Sequence, residues 1–307
     1  MRSDLPVILV TGATGQLGTL VIEKLLKTVP AGCIVAGVRD TAAATAHAAR
    51  GAHVRVFDHD RPETLDAAFA GVDRVLLISS NAVDRRLRQH VSVTVAAART
   101  GVSLPAYTSI LHADTSPLLL AEEHRATEAA LRDPGLPFVP LRNGRYIENI
   151  TGFAAQDLER GVRFGCAGAG RVSAATRADH AEAAAAVLSA ANQAGRIYDL
   201  ADDSAFTMAD YVAELSRQSG RPVSYRDMPQ AEFRQALIRA GRPEALATAI
   251  ADADAGASRG ALFDEGGQLR ALIGRPTTTL ARVVADQIGG ALREHYGWTP
   301  GARGVVP

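Results

Sequence analysis

Residues Thr11 to Gly18, reading Thr-Gly-Ala-Thr-Gly-Gln-Leu-Gly, constrain the fold more than any other stretch of the chain. They follow an apolar run, Val7 to Val10, and open a segment in which Leu17, Leu20, Val21, Lys24 and Leu25 recur at three- and four-residue spacing. A short continuous apolar run fits a strand covered on both faces of a parallel sheet. The spacing that runs on to Thr28 fits an amphipathic helix. Strand, glycine-rich turn and helix in that order bring backbone amides close to a pyrophosphate. Gly12 permits the tight turn, Gly15 leaves room for phosphate, and Gly18 lets the helix pack on the sheet. The helix N-terminus adds unsatisfied N–H groups and partial positive charge. The alternative is a plain strand-to-helix turn whose glycines serve geometry alone.

The same alternation continues. Cys33 to Val38, Val54 to Phe57, Val75 to Ile78, Leu104 to Thr108 and Phe138 to Leu141 read as strands. Between the fourth and fifth strands, Leu87, Val91, Val95 and Ala98 share one helix face. Right-handed crossovers then give an α/β fold, a Rossmann-type doubly wound parallel sheet, over residues 1–150. Beyond residue 150 the rhythm weakens. Arg163 to Val172 reads as a glycine-rich loop with short strands, Ala178 to Ala191 as an alanine-rich helix, and Ile197 to Leu200 as a strand. Residues 207–287 are mostly helical in pattern, so 151–307 is expected to form a smaller, mixed, mainly helical domain covering one sheet edge. No linker rich in Pro, Gly or Ser divides the halves, which points to interleaving.

Composition excludes several classes. Lys plus Arg and Asp plus Glu each number 33, giving zero net charge and no long-range attraction to nucleic acid. No apolar stretch approaches the ~18 residues of a membrane span, and the first strand begins too early for a signal peptide, so a cytoplasmic protein is expected. Two cysteines, Cys33 and Cys166, are too few for a disulfide framework or a structural zinc site. The eight histidines are dispersed, and no metal site is expected. No Gly-x-Ser-x-Gly elbow or phosphate-loop Gly-Lys signature occurs. Arg85, Arg86 and Arg88 read most simply as a solvated helix face.

The second strand ends Val38-Arg39-Asp40. A dinucleotide site that prefers NAD places an acidic residue about 20 residues beyond the glycines, whereas arginine accommodates a 2′-phosphate. Arg39 favours NADP(H); Asp40 would serve a ribose if the strand ended one residue later. Ser79, Ser80 and Asn81, at the carboxyl end of the fourth strand, lie where an open α/β sheet places its ligand. Asp58 either reaches an adenine amino group or is a solvated loop carboxylate.

Several stretches resemble the NmrA-like atypical short-chain dehydrogenases: Thr11 to Gly18, Leu77 to Ser80, Tyr107 to Asp114, Leu141 to Asn149, Ser173 to Asp179 and Gly274 to Leu280. Within the family, the pattern is most similar to bacterial members that reduce quinones with NADPH. The resemblance implies NADPH contacts from Gly12, Ala13, Thr14, Gly15, Gln16 and Leu17, from Arg39, and from Ser79, Ser80 and Asn81. It also implies that Asn143, Gly144, Arg145, Tyr146, Ile147 and Glu148 line the nicotinamide end, with Tyr146 packing on a flat ring or serving the core. Asn149 serves either that site or a helix terminus.

Ordinary short-chain dehydrogenases carry Tyr-x-x-x-Lys on the helix after the fifth strand. The resemblance places that pair at Leu120 and His124, with Glu128 following. Leu120 has no proton to give, which argues against alcohol or sugar oxidation. Quinone reduction tolerates the loss, because the acceptor is already electrophilic and its reduced anion can take a proton from water. His124 is the candidate catalytic side chain, as a proton donor, or a structural hydrogen-bonder. The expected activity is NADPH-dependent hydride transfer to quinones or similar flat acceptors, by a monomer or a homodimer. A non-catalytic NADP(H) sensor is the competing expectation, and a nucleotide-sugar epimerase would need the absent tyrosine.

Overall fold

The computed structural model describes residues 5–80, 82, 85–133 and 135–296, with side chains described as far as residue 289. Contacts divide the chain into two compact units. The first holds the described residues up to Gly144, then Arg177–Leu200 and Gly266–Pro276; the second holds Arg145–Thr176, Ala201–Glu265 and the described residues from Thr277 onward.

The first unit begins with β1 (Ile8–Val10), α1 (Gln16–Leu25), β2 (Ile34–Val38), α2 (Thr45–Ala49), β3 (His53–Val56), α3 (Leu65–Phe69), β4 (Arg74–Leu77), α4 (Arg86–Thr100), β5 (Leu104–Ile110), α5 (Leu119–Arg132) and β6 (Val139–Asn143). The chain then enters the second unit with α6 (Glu148–Thr151), α7 (Ala154–Arg160) and β7 (Val162–Gly165). It returns for α8 (Arg177–Ser189) and β8 (Tyr198–Leu200), and leaves again for α9 (Met208–Ser219), β9 (Ser224–Asp227), α10 (Gln230–Arg239) and α11 (Glu244–Ala257). A last return gives α12 (Gln268–Ile273) before α13 (Leu280–Tyr296).

Seven parallel strands form one sheet in the order β3-β2-β1-β4-β5-β6-β8. The order reverses direction between β1 and β4, and the carboxyl ends of those strands flank the crevice where such sheets bind ligands. β1 and β2 are fully buried, which explains their unbroken apolar runs. Under the sheet, Leu9, Val35, Phe57, Leu65, Phe69, Val75, Leu77, Val93 and Tyr107 make one core cluster. Phe57 and Phe69 meet edge to face at 5.4 Å. Leu17, Val21, Ile22 and Leu25 bury the inner face of α1, which also packs on α8.

Two stretches show what the pattern alone does not. Leu87, Val91 and Val95 do share a face of α4, but it is the solvent face, 38–50% exposed. The helix instead buries Arg86, Gln89, His90 and Thr94 beside Val93, Ala96 and Ala97. Hydrogen-bond demand at the end of β4 overrides the apolar spacing, as described below. Arg86 accordingly leaves the solvated arginine cluster and is buried. In the second unit, the short strands expected within 163–172 include β7, which starts at Val162 and pairs in parallel with β9.

Candidate functional site

At the end of β1 the chain turns on Gly12, whose φ of +56° lies in the left-handed region that favours glycine. A Cβ on Gly18 would sit 2.3 Å from the Gly12 carbonyl oxygen, so α1 approaches the turn as closely as a bare backbone allows. The turn is braced from beneath: Thr11 N–H donates to the Leu76 carbonyl at 3.0 Å, and Ala13 N–H to the Gly37 carbonyl at 3.3 Å. The Ala13 carbonyl is met by Thr19 Oγ1 at 3.1 Å and by buried His47 Nε2 at 3.0 Å. Ala13 and Leu17 are buried, whereas Gly12, Thr14, Gly15 and Gln16 are exposed. No side chain caps α1 and no acidic residue occupies its first turn. Its N–H groups and dipole therefore face outward with no carboxylate in the first turn to offset them.

One strand away, Arg39 and Asp40 are both exposed at the end of β2. The Asp40 carboxylate accepts the Ala42 N–H at 2.9 Å and caps a short 3-10 helix, Thr41–Ala44. Its commitment leaves the Arg39 guanidinium as the outward-facing charge of the pair. Asp58 N–H bonds Thr64 Oγ1 at 3.2 Å, and the Asp58 carboxylate takes the Asp60 N–H at 3.0 Å, a loop role that fits the solvated alternative.

Across the crevice, every peptide N–H from Ile78 to Ser80 is held by a side chain. Ile78 donates to Thr11 Oγ1 at 2.9 Å, Ser79 to Thr108 Oγ1 at 2.8 Å, and Ser80 to His90 Nε2 at 3.2 Å. Since His90 Nε2 accepts, Nδ1 carries the proton and donates to Thr127 Oγ1 at 3.1 Å. Thr127 Oγ1 in turn donates to the Glu123 carbonyl at 2.9 Å. The Glu123 carboxylate pairs with Arg86, whose Nε donates to the Ser80 carbonyl at 2.7 Å and closes the ring. Ser80 Oγ also donates to Gln89 at 2.7 Å. Burial, with neighbouring His59, Arg86 and His124, pulls the His90 imidazole down to about 3, so it stays the neutral acceptor the turn requires. Nothing in the apolar periodicity announced this network; the polar residues Arg86, Gln89 and His90 inside a helical stretch were its only signal. Asn81 lies outside the described residues.

His124 is also buried, 5% exposed, and its Nδ1 lies 2.7 Å from the Tyr107 hydroxyl. Burial, then the nearby Arg86 charge, pulls its imidazole down to about 3, and burial pushes the Tyr107 phenol up. Glu128, four residues on, receives Arg142 through two bonds of 3.1 and 2.9 Å and the Ser109 hydroxyl at 2.6 Å. At the end of β6, the Asn143 carbonyl accepts Leu111 N–H at 3.0 Å, and Gly144 N–H donates to Leu200 at 2.7 Å.

The nominated stretch 143–148 is thus divided. Asn143 and Gly144 belong to the first unit, and Arg145 to Glu148 to the second. There Arg145 pairs with Asp254 at 2.8 Å, Tyr146 bridges to Ala175, Ile147 N–H donates to the Ala175 carbonyl at 2.9 Å, and Glu148 begins α6. Asn149 is an exposed residue within that short helix.

An all-parallel sheet with a glycine turn at its switch point and an arginine at the end of β2 defines a dinucleotide-binding protein of the short-chain dehydrogenase type. The chain belongs to the NmrA-like family, whose profile matches residues 6–259. It is 52% identical to quinone oxidoreductase 2 of Escherichia coli (strain K12) over 278 residues, covering 91% of this chain and 97% of that relative. The crystal structure of the Escherichia coli NADPH-dependent quinone oxidoreductase complexed with NADPH superposes with a TM-score of 0.89, covering 91% of this chain and 99% of that one. The Citrobacter sp. triphenylmethane reductase complexed with NADP(H), 38% identical, gives 0.87 over 91% and 99% of the two chains.

Proposed function

We propose that this chain is an NADPH-dependent reductase that delivers hydride to quinones or similar flat acceptors. The observation that carries the reading is the uncapped, acid-free α1 N-terminus beside a glycine turn too tight for a Cβ at Gly18, with Arg39 outward and Asp40 committed to a cap. Those groups fit a pyrophosphate and a 2′-phosphate. NADPH, when bound, supplies the hydride. The Gly12 to Leu17 backbone holds the diphosphate, Arg39 the 2′-phosphate, and Ser79 to Asn81 the central part of the cofactor. Asn143 to Glu148 line the nicotinamide end, where Tyr146 offers a flat side chain.

The chemical task left to the protein is orientation of two flat rings and exclusion of competing reactions. His124, neutral near physiological pH, supports Tyr107 in this reading and carries no proton to the acceptor. The acceptor is a small molecule. Cytoplasmic residence belongs to the same proposal, and sedimentation equilibrium decides between monomer and homodimer. The test is steady-state consumption of NADPH with a panel of benzoquinones and naphthoquinones. Turnover well above the uncatalysed rate is expected; tight NADPH binding without consumption favours a sensor instead.

A further inference from the structure

Hydride delivery to a quinone leaves an oxyanion, and a neutral, buried His124 does not protonate it. We propose that His112, oriented by Asp199, is the proton donor to the reduced quinone, an inference that rests on the quinone-reductase reading. His112 follows β5 by two residues, at the carboxyl end of the sheet, next to Leu111, whose N–H is tied to the end of β6 at Asn143. Its φ of +50° places a non-glycine residue in the left-handed region, which persists only where surroundings enforce it. The His112 carbonyl accepts the Thr115 and Ser116 N–H groups at 2.9 and 2.7 Å, and on its other side stands Asp199 of β8. Its Oδ1 accepts the His112 N–H at 2.8 Å and lies 3.5 Å from Nδ1 of the same residue. Asp199 is itself anchored, its N–H donating to Gln268 Oε1 at 3.2 Å.

One carboxylate oxygen thus addresses both the backbone and the ring of His112, turning Nδ1 inward. A carboxylate beside an imidazole orients the ring and selects its tautomer. The imidazole is one-third exposed, in contrast to His90 and His124. The other charges nearby are Arg125 on α5, which donates to the Ala113 and Ser116 carbonyls at 3.0 Å each, Asp114 on the same loop and Arg142 on β6; the last two bond each other at 2.9 Å, while Arg142 also holds Glu128 on α5. Arg142 hydrogen-bonds two carboxylates, Asp114 and Glu128, and Asp199, whose charge also acts on Arg142, is the acid within reach of the His112 ring.

The step balances. Hydride from NADPH adds two electrons and one hydrogen to the quinone, giving NADP⁺ and the hydroquinone monoanion. An N–H bond of the His112 imidazolium breaks as an O–H bond forms on that anion, and the neutral imidazole regains its proton from solvent.

The test compares the native chain with His112→Asn and His112→Gly, both compatible with a positive φ, using NADPH and a naphthoquinone. The native kcat is expected to fall on the alkaline side of its pH profile. Both variants are expected to lose about tenfold or more in kcat and to lose that limb of the profile. NADPH affinity, read by fluorescence titration without turnover, stays within about twofold, and added imidazole restores activity to His112→Gly. Unchanged kcat and pH profile in the variants overturn the role. So does a rate loss that imidazole does not rescue and that follows weakened NADPH binding. A native chain that consumes no NADPH with any quinone removes the parent reading together with this one, whereas an active native chain with indifferent variants removes only the role of His112.

Discussion

Replacing Arg39 by Ala separates the two nicotinamide cofactors. The guanidinium is exposed at the end of β2, and its neighbour Asp40 is occupied by the Ala42 N–H at 2.9 Å. A charged hydrogen bond contributes about 1.5–3 kcal/mol, which is about 10- to 150-fold in a dissociation constant. Arg39→Ala is therefore expected to weaken NADPH by about that factor. NADH has no 2′-phosphate for Arg39 to hold, and its affinity should change by less than about twofold. Both constants come from fluorescence titration of the same preparations. Because the contact is exposed, raising the salt should shrink the native preference for NADPH and leave NADH binding almost unaltered. Equal weakening of both cofactors would refute the assignment of Arg39, and a marked loss of NADH affinity in Asp40→Ala would refute the inference that Asp40 serves the cap and not the ribose.

Gly18→Ala pushes a methyl group to 2.3 Å from the Gly12 carbonyl oxygen; NADPH affinity is expected to fall by at least about tenfold, with about 1–3 kcal/mol lost in denaturant unfolding. His90 and His124 both fall to about 3 in the folded protein from 6.5, so the unfolded chain binds more protons below pH 6.5. Their contribution is complete above that pH and drains away as pH falls toward 3; at pH 5 each has lost about 2 kcal/mol, visible as a declining Tm that His124→Gln should flatten. Glu128→Ala removes the buried partner of Arg142, held now at 3.1 and 2.9 Å, and leaves only the exposed Asp114 bond at 2.9 Å; unfolding free energy should fall by about 3 kcal/mol.

The phosphate turn and the parallel sheet were legible because each is a local rule: a buried run, glycines at fixed offsets, and a helix at 3–4 spacing. The edges of elements drifted by a few residues, as with β6, expected at Phe138 to Leu141 and found at Val139–Asn143. Leu87, Val91 and Val95 share a face of α4 as their helical period requires, yet the period does not say that this face meets solvent. What outweighs them is non-local. The strand-end peptide of Ser80 is satisfied by Arg86 at its carbonyl and His90 at its N–H, and Gln89 takes its side-chain hydroxyl. The pairing of His112 with Asp199, 87 residues apart, was hidden for the same reason. It exists only once β8 has joined the sheet beside β6. Arg39 was identifiable from position, but the commitment of Asp40 to a cap was not.

The decisive measurement mixes the preformed complex of protein and NADPH with one equivalent of naphthoquinone, without oxygen, in a stopped-flow instrument, and follows the reduced-nicotinamide absorbance. One NADPH should disappear per quinone, far faster than in buffer alone. A complex that forms but keeps its absorbance in the presence of the acceptor would contradict the assignment of this site to hydride transfer.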